Sequence, residues 1–181
     1  MPAETGADAP ALTIAKFDKA LHDRSAFSCG FGPIDNFLKS SLSDQIKAGM
    51  VAAWVATADD DPAVLGFYTL GAMAVRSDFG PKKWQRAGVP DIPVIYIRAV
   101  AVRKDMQGKG LGTALIVDAM QRCLGIADQM GAAAVVLDVL KDDHFDRRWR
   151  FYEELGFRPL GDSENPERVF ISMANVRATL G

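Results

Sequence analysis

The order of apolar runs along the chain predicts an α/β protein, a single mixed sheet with helices on both faces. Two observations carry this. Short apolar stretches come first, followed by an alternation of strand, helix, strand, helix, strand. Gly110 to Met130 then sets Leu111, Leu115, Ala119, Cys123, Ile126 and Met130 on one helical face, whereas Ala132 to Leu140 is the continuous Val/Ala run of a strand buried on both sides.

Each element follows from its local pattern. Residues 1–10 (MPAETGADAP) have neither a basic start nor an apolar stretch, so they read as a flexible tail and not as a secretion signal. Residues 11–181 read as one domain. Leu12 to Phe17 is a first strand. Pro33 opens a helix carrying Ile34, Phe37, Leu38, Leu42 and Ile46, and Gly49 ends it. Val51 to Ala58 is a buried strand, Asp59 to Pro62 a turn, and Val64 to Val75 a longer strand. Residues 77–91, rich in Gly and Pro, form a loop or short helix around Trp84. Ile92 to Val102 is a strand that runs into Arg103-Lys104-Asp105. After the long helix and the Ala132 strand, Phe145 to Leu155 is a short helix with Gly156 at its C-cap, and Arg168 to Ala174 is a last strand.

The composition, 49% hydrophobic and 24% charged over 181 residues, supplies a sizeable core. No apolar run has the length of a membrane span. Cys29 and Cys123 read as buried thiols, too few for a cysteine metal site, and the expected compartment is the cytoplasm. A net charge of −2 argues against a general nucleic-acid binder. Cations nevertheless cluster: Arg76, Lys82, Lys83, Arg86, Arg98, Arg103, Lys104 and Lys109, then Arg147, Arg148 and Arg150. They form either an ordinary solvated surface or a face for an anionic ligand.

The main chemical signal is Gln107-Gly108-Lys109-Gly110-Leu111-Gly112-Thr113, between a strand and a helix. Glycines remove side chains where a ligand must approach the backbone. The helix start presents unpaired N–H groups and the positive end of its dipole, which suits a pyrophosphate. The spacing does not fit a P-loop, since Lys109 precedes Gly110. A dinucleotide turn would need glycine where Thr113 stands. A plain strand-to-helix connection is the remaining alternative.

The turn resembles the CoA motif of the GNAT acetyltransferase superfamily, Gln/Arg-x-x-Gly-x-Gly/Ala, at every defined position. A second landmark of that family, "FYxxLGF", is matched by Phe151-Tyr152-Glu153-Glu154-Leu155-Gly156-Phe157. The resemblance spans roughly residues 50–175. It implies an acyl-CoA N-acyltransferase fold and acetyl-CoA as co-substrate, with no metal. It also implies a strand edge at Val100, Ala101 and Val102 that pairs with the pantetheine amides, and pyrophosphate held by the backbone from Gly108 to Thr113. Tyr152 matches the tyrosine that the family uses as general acid toward the leaving thiolate; the alternative is a tyrosine that only packs on pantetheine. No general base stands out. Asp138 reads as a capping or salt-bridging carboxylate, and His144 as a surface histidine.

The N-terminal third narrows the acceptor. Phe27-Ser28-Cys29-Gly30, Ile34-Asp35-Asn36-Phe37-Leu38 and Ile92-Pro93-Val94 to Val102 resemble the tRNA-acetylating toxins of bacterial toxin–antitoxin pairs, with Ala99 where their pattern has Leu. This implies acetylation of the α-amine of an aminoacyl-tRNA, which blocks translation. Arg98, Lys82, Lys83, Arg86, Arg147, Arg148 and Arg150 are then the candidate acceptor-binding cations; for Arg98 a structural salt bridge is the alternative. A small ribbon-helix-helix antitoxin and a homodimer are the expected partners. A metabolic or peptide N-acetyltransferase and a CoA-binding module without catalysis remain as other readings.

Overall fold

A computed structural model describes residues 11–180; the tail expected over residues 1–10 lies outside the described residues. The strands are β1 (Leu12–Lys16), β2 (Ala52–Ala58), β3 (Gly66–Arg76), β4 (Asp91–Val102), β5 (Ala134–Asp138), β6 (Arg158–Pro159) and β7 (Arg168–Ser172). The helices are α1 (Gly32–Asn36), α2 (Leu42–Lys47), α3 (Lys82–Gln85), α4 (Leu111–Ala127), α5 (Phe145–Glu154) and α6 (Met173–Leu180). The strands form one seven-stranded sheet in the order β1-β2-β3-β4-β5-β7-β6. All neighbours are antiparallel except β4 and β5, which α4 connects.

Both faces of the sheet are covered. On one, Leu111, Leu115, Ala119 and Cys123 of α4 and Val176 of α6 pack on Tyr68, Leu70, Ile95, Ile97, Val135 and Ile171. On the other, Phe27, Leu38 and Leu42 cover Val55, Phe67, Ala99 and Ala101, while Trp84 of α3 lies beside Val94, Val136 and Phe170. Among the described residues, no helix is long and apolar enough to cross a membrane.

Three local outcomes differ from the sequence pattern. The helix expected from Pro33 to Gly49 is interrupted by a π-helical turn over Phe37–Ser41, in which the Leu42 N–H reaches back to the Phe37 carbonyl. Arg24 Nη1 donates to the Leu38 carbonyl at 2.7 Å, satisfying a group outside the regular helical ladder. The long helix stops at Ala127, because Gln129 and Met130 fold their N–H groups back onto the Ile126 carbonyl; Met130 is left exposed. The last strand ends at Ser172, whose Oγ accepts the Asn175 N–H and so starts α6, a helix the strand-like run Val169-Phe170-Ile171 concealed. Both cysteines are free thiols; burial pushes Cys123 up to about 12 and Cys29 up to about 11.

Candidate active site

β4 changes its partners along its length. Ile95, Tyr96 and Ile97 pair with Val135, Val136 and Leu137, and the β4–β5 pairing ends there. Beyond that point β4 continues to Val102 on β3 alone, so the two parallel strands form a fork. A bulge marks the split. Tyr68 pairs with Val100 but Leu70 with Ile97, so β4 carries one residue more than β3. The extra residue reverses the alternation: Ile95 and Ile97 face α4, whereas Ala99 and Ala101 face the opposite side. The buried Thr69 stabilises the irregularity, its Oγ1 accepting the Ala99 N–H at 3.3 Å. The Ala99 and Arg103 N–H groups both point toward β3. Antiparallel alternation therefore directs the backbone groups of Val100 and Val102 toward the fork.

The upper arm of the fork runs into the glycine turn. A short 3₁₀ turn over Lys104–Met106 leads to Gly108 and Gly110, at φ of +74° and +85°. Both need the left-handed region, which explains glycine there. No side chain among the described residues caps α4 at Gly110, and the first N–H groups of a helix have no partner within it. Gly112 faces Val102, where an added Cβ would meet Val102 Cγ2 at 3.8 Å. The turn thus joins an edge able to pair with an extended amide chain to a helix end able to hold an anion.

The N-terminal motif braces this corner. Asp35 Oδ1 accepts the Cys29 N–H at 2.9 Å, and Asp35 Oδ2 accepts the Ser28 hydroxyl at 3.3 Å. The Ser28 carbonyl in turn accepts the Lys104 N–H. Gln107 Nε2 donates to the carbonyls of both Cys29 and Val102, at 2.9 Å each. Gln107 therefore fastens the N-terminal loop to the tip of β4.

The chain has three tyrosines, and their hydroxyls differ in kind. Tyr68 donates to Asp118 at 2.5 Å and Tyr96 to Asp138 at 2.7 Å. Tyr152 makes no hydrogen bond through its hydroxyl among the described residues, although its ring is buried edge-on between Phe151 and Phe157. Burial pushes it up to about 12, against a lowering by Arg148. The hydroxyl oxygen is not one of the fully buried unpartnered atoms, so the ring is packed while its polar tip stays accessible to a ligand. Asp138 is a salt-bridging carboxylate: Arg168 Nε donates to its Oδ1 at 2.7 Å and Arg168 Nη2 to its Oδ2 at 3.0 Å. His144 is exposed at the start of α5.

The candidate cations divide. Arg76 is tied to Asp78 and Arg148 to Asp142. Lys82, Lys83, Arg86, Arg147 and Arg150 are exposed and have no ion-pair partner among the described residues. Arg98 is also exposed and stands 5.9 Å over the Phe37 ring in place of a salt bridge. A cavity of about 250 Å³ joins Lys83 of α3 to Gly156, Arg158 and Asn175. Sequence reasoning missed Arg158, although it directly follows the Gly156-Phe157 landmark.

Known proteins share this architecture. The profile of the acetyltransferase (GNAT) family matches residues 33–157. The chain is 36% identical over 173 residues to the probable toxin TacT of Sinorhizobium fredii, covering 93% of this chain and 94% of that protein. It is 30% identical over 160 residues to a tRNA-acetylating toxin of Mycobacterium tuberculosis, covering 88% and 91%. Its fold matches that of AtaT complexed with acetyl-methionyl-tRNAfMet with a TM-score of 0.84, at 24% identity over 94% of this chain and 100% of that one.

Proposed function

The chain belongs to the acetyltransferase (GNAT) family, and from that premise we propose that it moves the acetyl group of acetyl-CoA to the α-amine of an aminoacyl-tRNA, acting as a translation-blocking toxin. The observation that carries the reading is the fork between β4 and β5, whose free edge leads into an uncapped helix N-terminus. An acyl-CoA needs both features at once: a groove for an amide-bearing arm and a cradle for a pyrophosphate. Val100, Ala101 and Val102 form the edge, and Gly108, Lys109, Gly110, Leu111, Gly112 and Thr113 the cradle. Gln107 holds the two in register through its bonds to Cys29 and Val102. The acceptor follows the two relatives named as toxins, one of them as tRNA-acetylating.

In the reaction, the neutral amine attacks the thioester carbonyl. The C–N bond forms, the C–S bond breaks, and the amine nitrogen loses its extra proton to water. Backbone N–H groups at the fork polarise the carbonyl as negative charge develops. Tyr152 gives its phenolic proton to the leaving thiolate and regains one from water, so the amine's proton and the thiol's proton balance over the cycle. Its unpartnered hydroxyl and raised pKa support this role, since the group stays protonated across the physiological range. An α-amine has an ordinary pKa near 8, so a large neutral fraction exists without a dedicated protein base.

The exposed cations Lys82, Lys83, Arg86, Arg98, Arg147 and Arg150, with Arg148 behind them, receive the RNA backbone. A local basic face reconciles an RNA acceptor with the net charge of −2. The expected setting is the cytoplasm, with a homodimer neutralised by a ribbon-helix-helix antitoxin. Solved structures of similar fold include a tyrosine-to-phenylalanine mutant of the toxin AtaT bound to the C-terminus of the antitoxin AtaR.

The test incubates the protein with labelled acetyl-CoA and total charged tRNA, then reads alkali-labile label in RNA. Label is expected. Lys82→Glu with Lys83→Glu should reduce it and flatten its salt dependence by about 0.7 in log–log slope per lost phosphate contact, leaving acetyl-CoA affinity intact. Absence of label on any tRNA, with efficient acetylation of a small amine or peptide, would overturn the acceptor and leave the metabolic reading in its place.

A further inference from the structure

We propose that Tyr96, Asp138 and Arg168 form a latch that sets the width of the fork, and so act as positioning residues for the acyl-CoA arm. The inference rests on the reading that this arm lies between β4 and β5.

The backbone alone holds the fork weakly. Only three residue pairs join β4 to β5, and the last is Ile97 with Leu137. Above that pair, the separation of the strands depends on side chains. Tyr96 lies one residue before the split on β4, and Asp138 one residue after it on β5. Their hydrogen bond, 2.7 Å from the Tyr96 hydroxyl to Asp138 Oδ2, therefore crosses the divergence point diagonally. Arg168 lies opposite Asp138 on β7 and grips both carboxylate oxygens, at 2.7 and 3.0 Å. The contact thus spans three adjacent strands and pins β5 from both sides.

The chemistry of the three groups suits a fixed spacer. A bidentate guanidinium–carboxylate pair is directional and sets the plane of the carboxylate. The Arg168 and Asp138 side chains are only 16% and 26% exposed, so water competes less than at a surface pair. Asp162 lies 3.7 Å from Arg168 Nη1, and the Arg168 guanidinium lies 5.8 Å from the Tyr96 ring centroid. Burial first, and the Asp138 carboxylate second, push the Tyr96 hydroxyl up to about 12, so it remains a donor throughout the working range. Neither Tyr96 nor Asp138 is required to touch the reacting atoms. Their effect is on where β5 stands relative to the free edge at Val100 and Val102.

The experiment compares two ligands on three proteins by titration calorimetry. The ligands are CoA and a fragment carrying only its 3′-phospho-ADP half; the proteins are wild type, Tyr96→Phe and Asp138→Asn. The fragment reaches the glycine turn but not the fork. Tyr96→Phe should weaken CoA by about three- to tenfold, the worth of one partly buried hydrogen bond, and leave the fragment unchanged. Asp138→Asn removes the charge and one of the two acceptor oxygens, so it should act in the same direction, and combining the two should add less than the sum because both weaken one network. Equal weakening of both ligands would reduce the latch to a general stability element and overturn the proposal, as would unchanged CoA binding by Tyr96→Phe. Failure of the underlying reading looks different: wild type itself would then bind the fragment as tightly as CoA, before any substitution is made.

Discussion

The two halves of β4 have similar composition and opposite roles. From Ile92 to Ile97 the strand has β3 on one edge, gains β5 on the other, and buries side chains on both faces. From Arg98 to Val102 it keeps β3 and has no second strand partner among the described residues. The lower half satisfies its backbone within the sheet and contributes stability. The upper half, displaced by the bulge at Thr69, leaves its outer edge without a strand partner among the described residues, with the Val102 carbonyl taken by Gln107. One residue inserted opposite β3 is enough to separate the two roles.

The comparison predicts that damage to one half should leave the other's property intact. The largest effect belongs to the open half. Tyr152→Phe should lower the single-turnover rate by about 10²–10⁴-fold with acetyl-CoA affinity unchanged; a wild-type rate in that variant would remove Tyr152 from the chemistry. Ile95→Ala in the closed half should cost about 2–5 kcal/mol in urea denaturation while the folded fraction binds acetyl-CoA normally. Parallel loss of affinity would mean that the halves are not separable. Gly110→Glu should weaken acetyl-CoA on the order of a hundredfold by calorimetry, because the added carboxylate repels the pyrophosphate at a helix N-terminus and strains a positive φ. Thr69→Val keeps the shape but leaves the Ala99 N–H unpaired, and about 1 kcal/mol of stability should be lost.

The smallest effect is on pH dependence. A tyrosine raised to about 12 is protonated, and therefore competent as an acid, at every pH below that value. The amine is competent only when deprotonated. Hence kcat/KM should rise about tenfold per pH unit below the amine pKa, level off near pH 8, and show no descending limb from Tyr152 up to pH 10. A descending limb centred near 9 would indicate another proton donor.

The closed half was largely legible from residues alone. Ala132 to Leu140 and Ile92 to Val102 read as buried strands because their apolar runs are short and continuous, and the stripe from Leu111 to Cys123 located the helix between them. The glycine turn was also legible, since few physical reasons other than positive φ or close approach concentrate glycine at 108, 110 and 112. The bulge was not. Val94, Ile95, Ile97, Ala99, Val100, Ala101 and Val102 are apolar at odd and even positions alike, so no alternation exists to reveal a reversal. Its signature, Thr69, lies on another strand. The bond between Asp138 and Arg168 joins residues far apart in sequence, and only strand register brings them together. Asp35 and Gln107 gave the N-terminal motif its meaning only once their partners at Cys29 and Val102 were in place.

The fork also has a schedule. β1, β2 and β3 are neighbours in both sequence and space, so they can assemble while the chain is still short. The second wall of the fork waits for residues 134–138, and its clasp waits for Arg168, thirty residues further on. Contacts between distant segments form late because the loop between them must first be closed. A chain still emerging from a ribosome therefore carries the glycine cradle well before it carries the groove. The anion cradle and the groove beside it are thus made in two steps, and the second depends on strands that follow α4 in the chain.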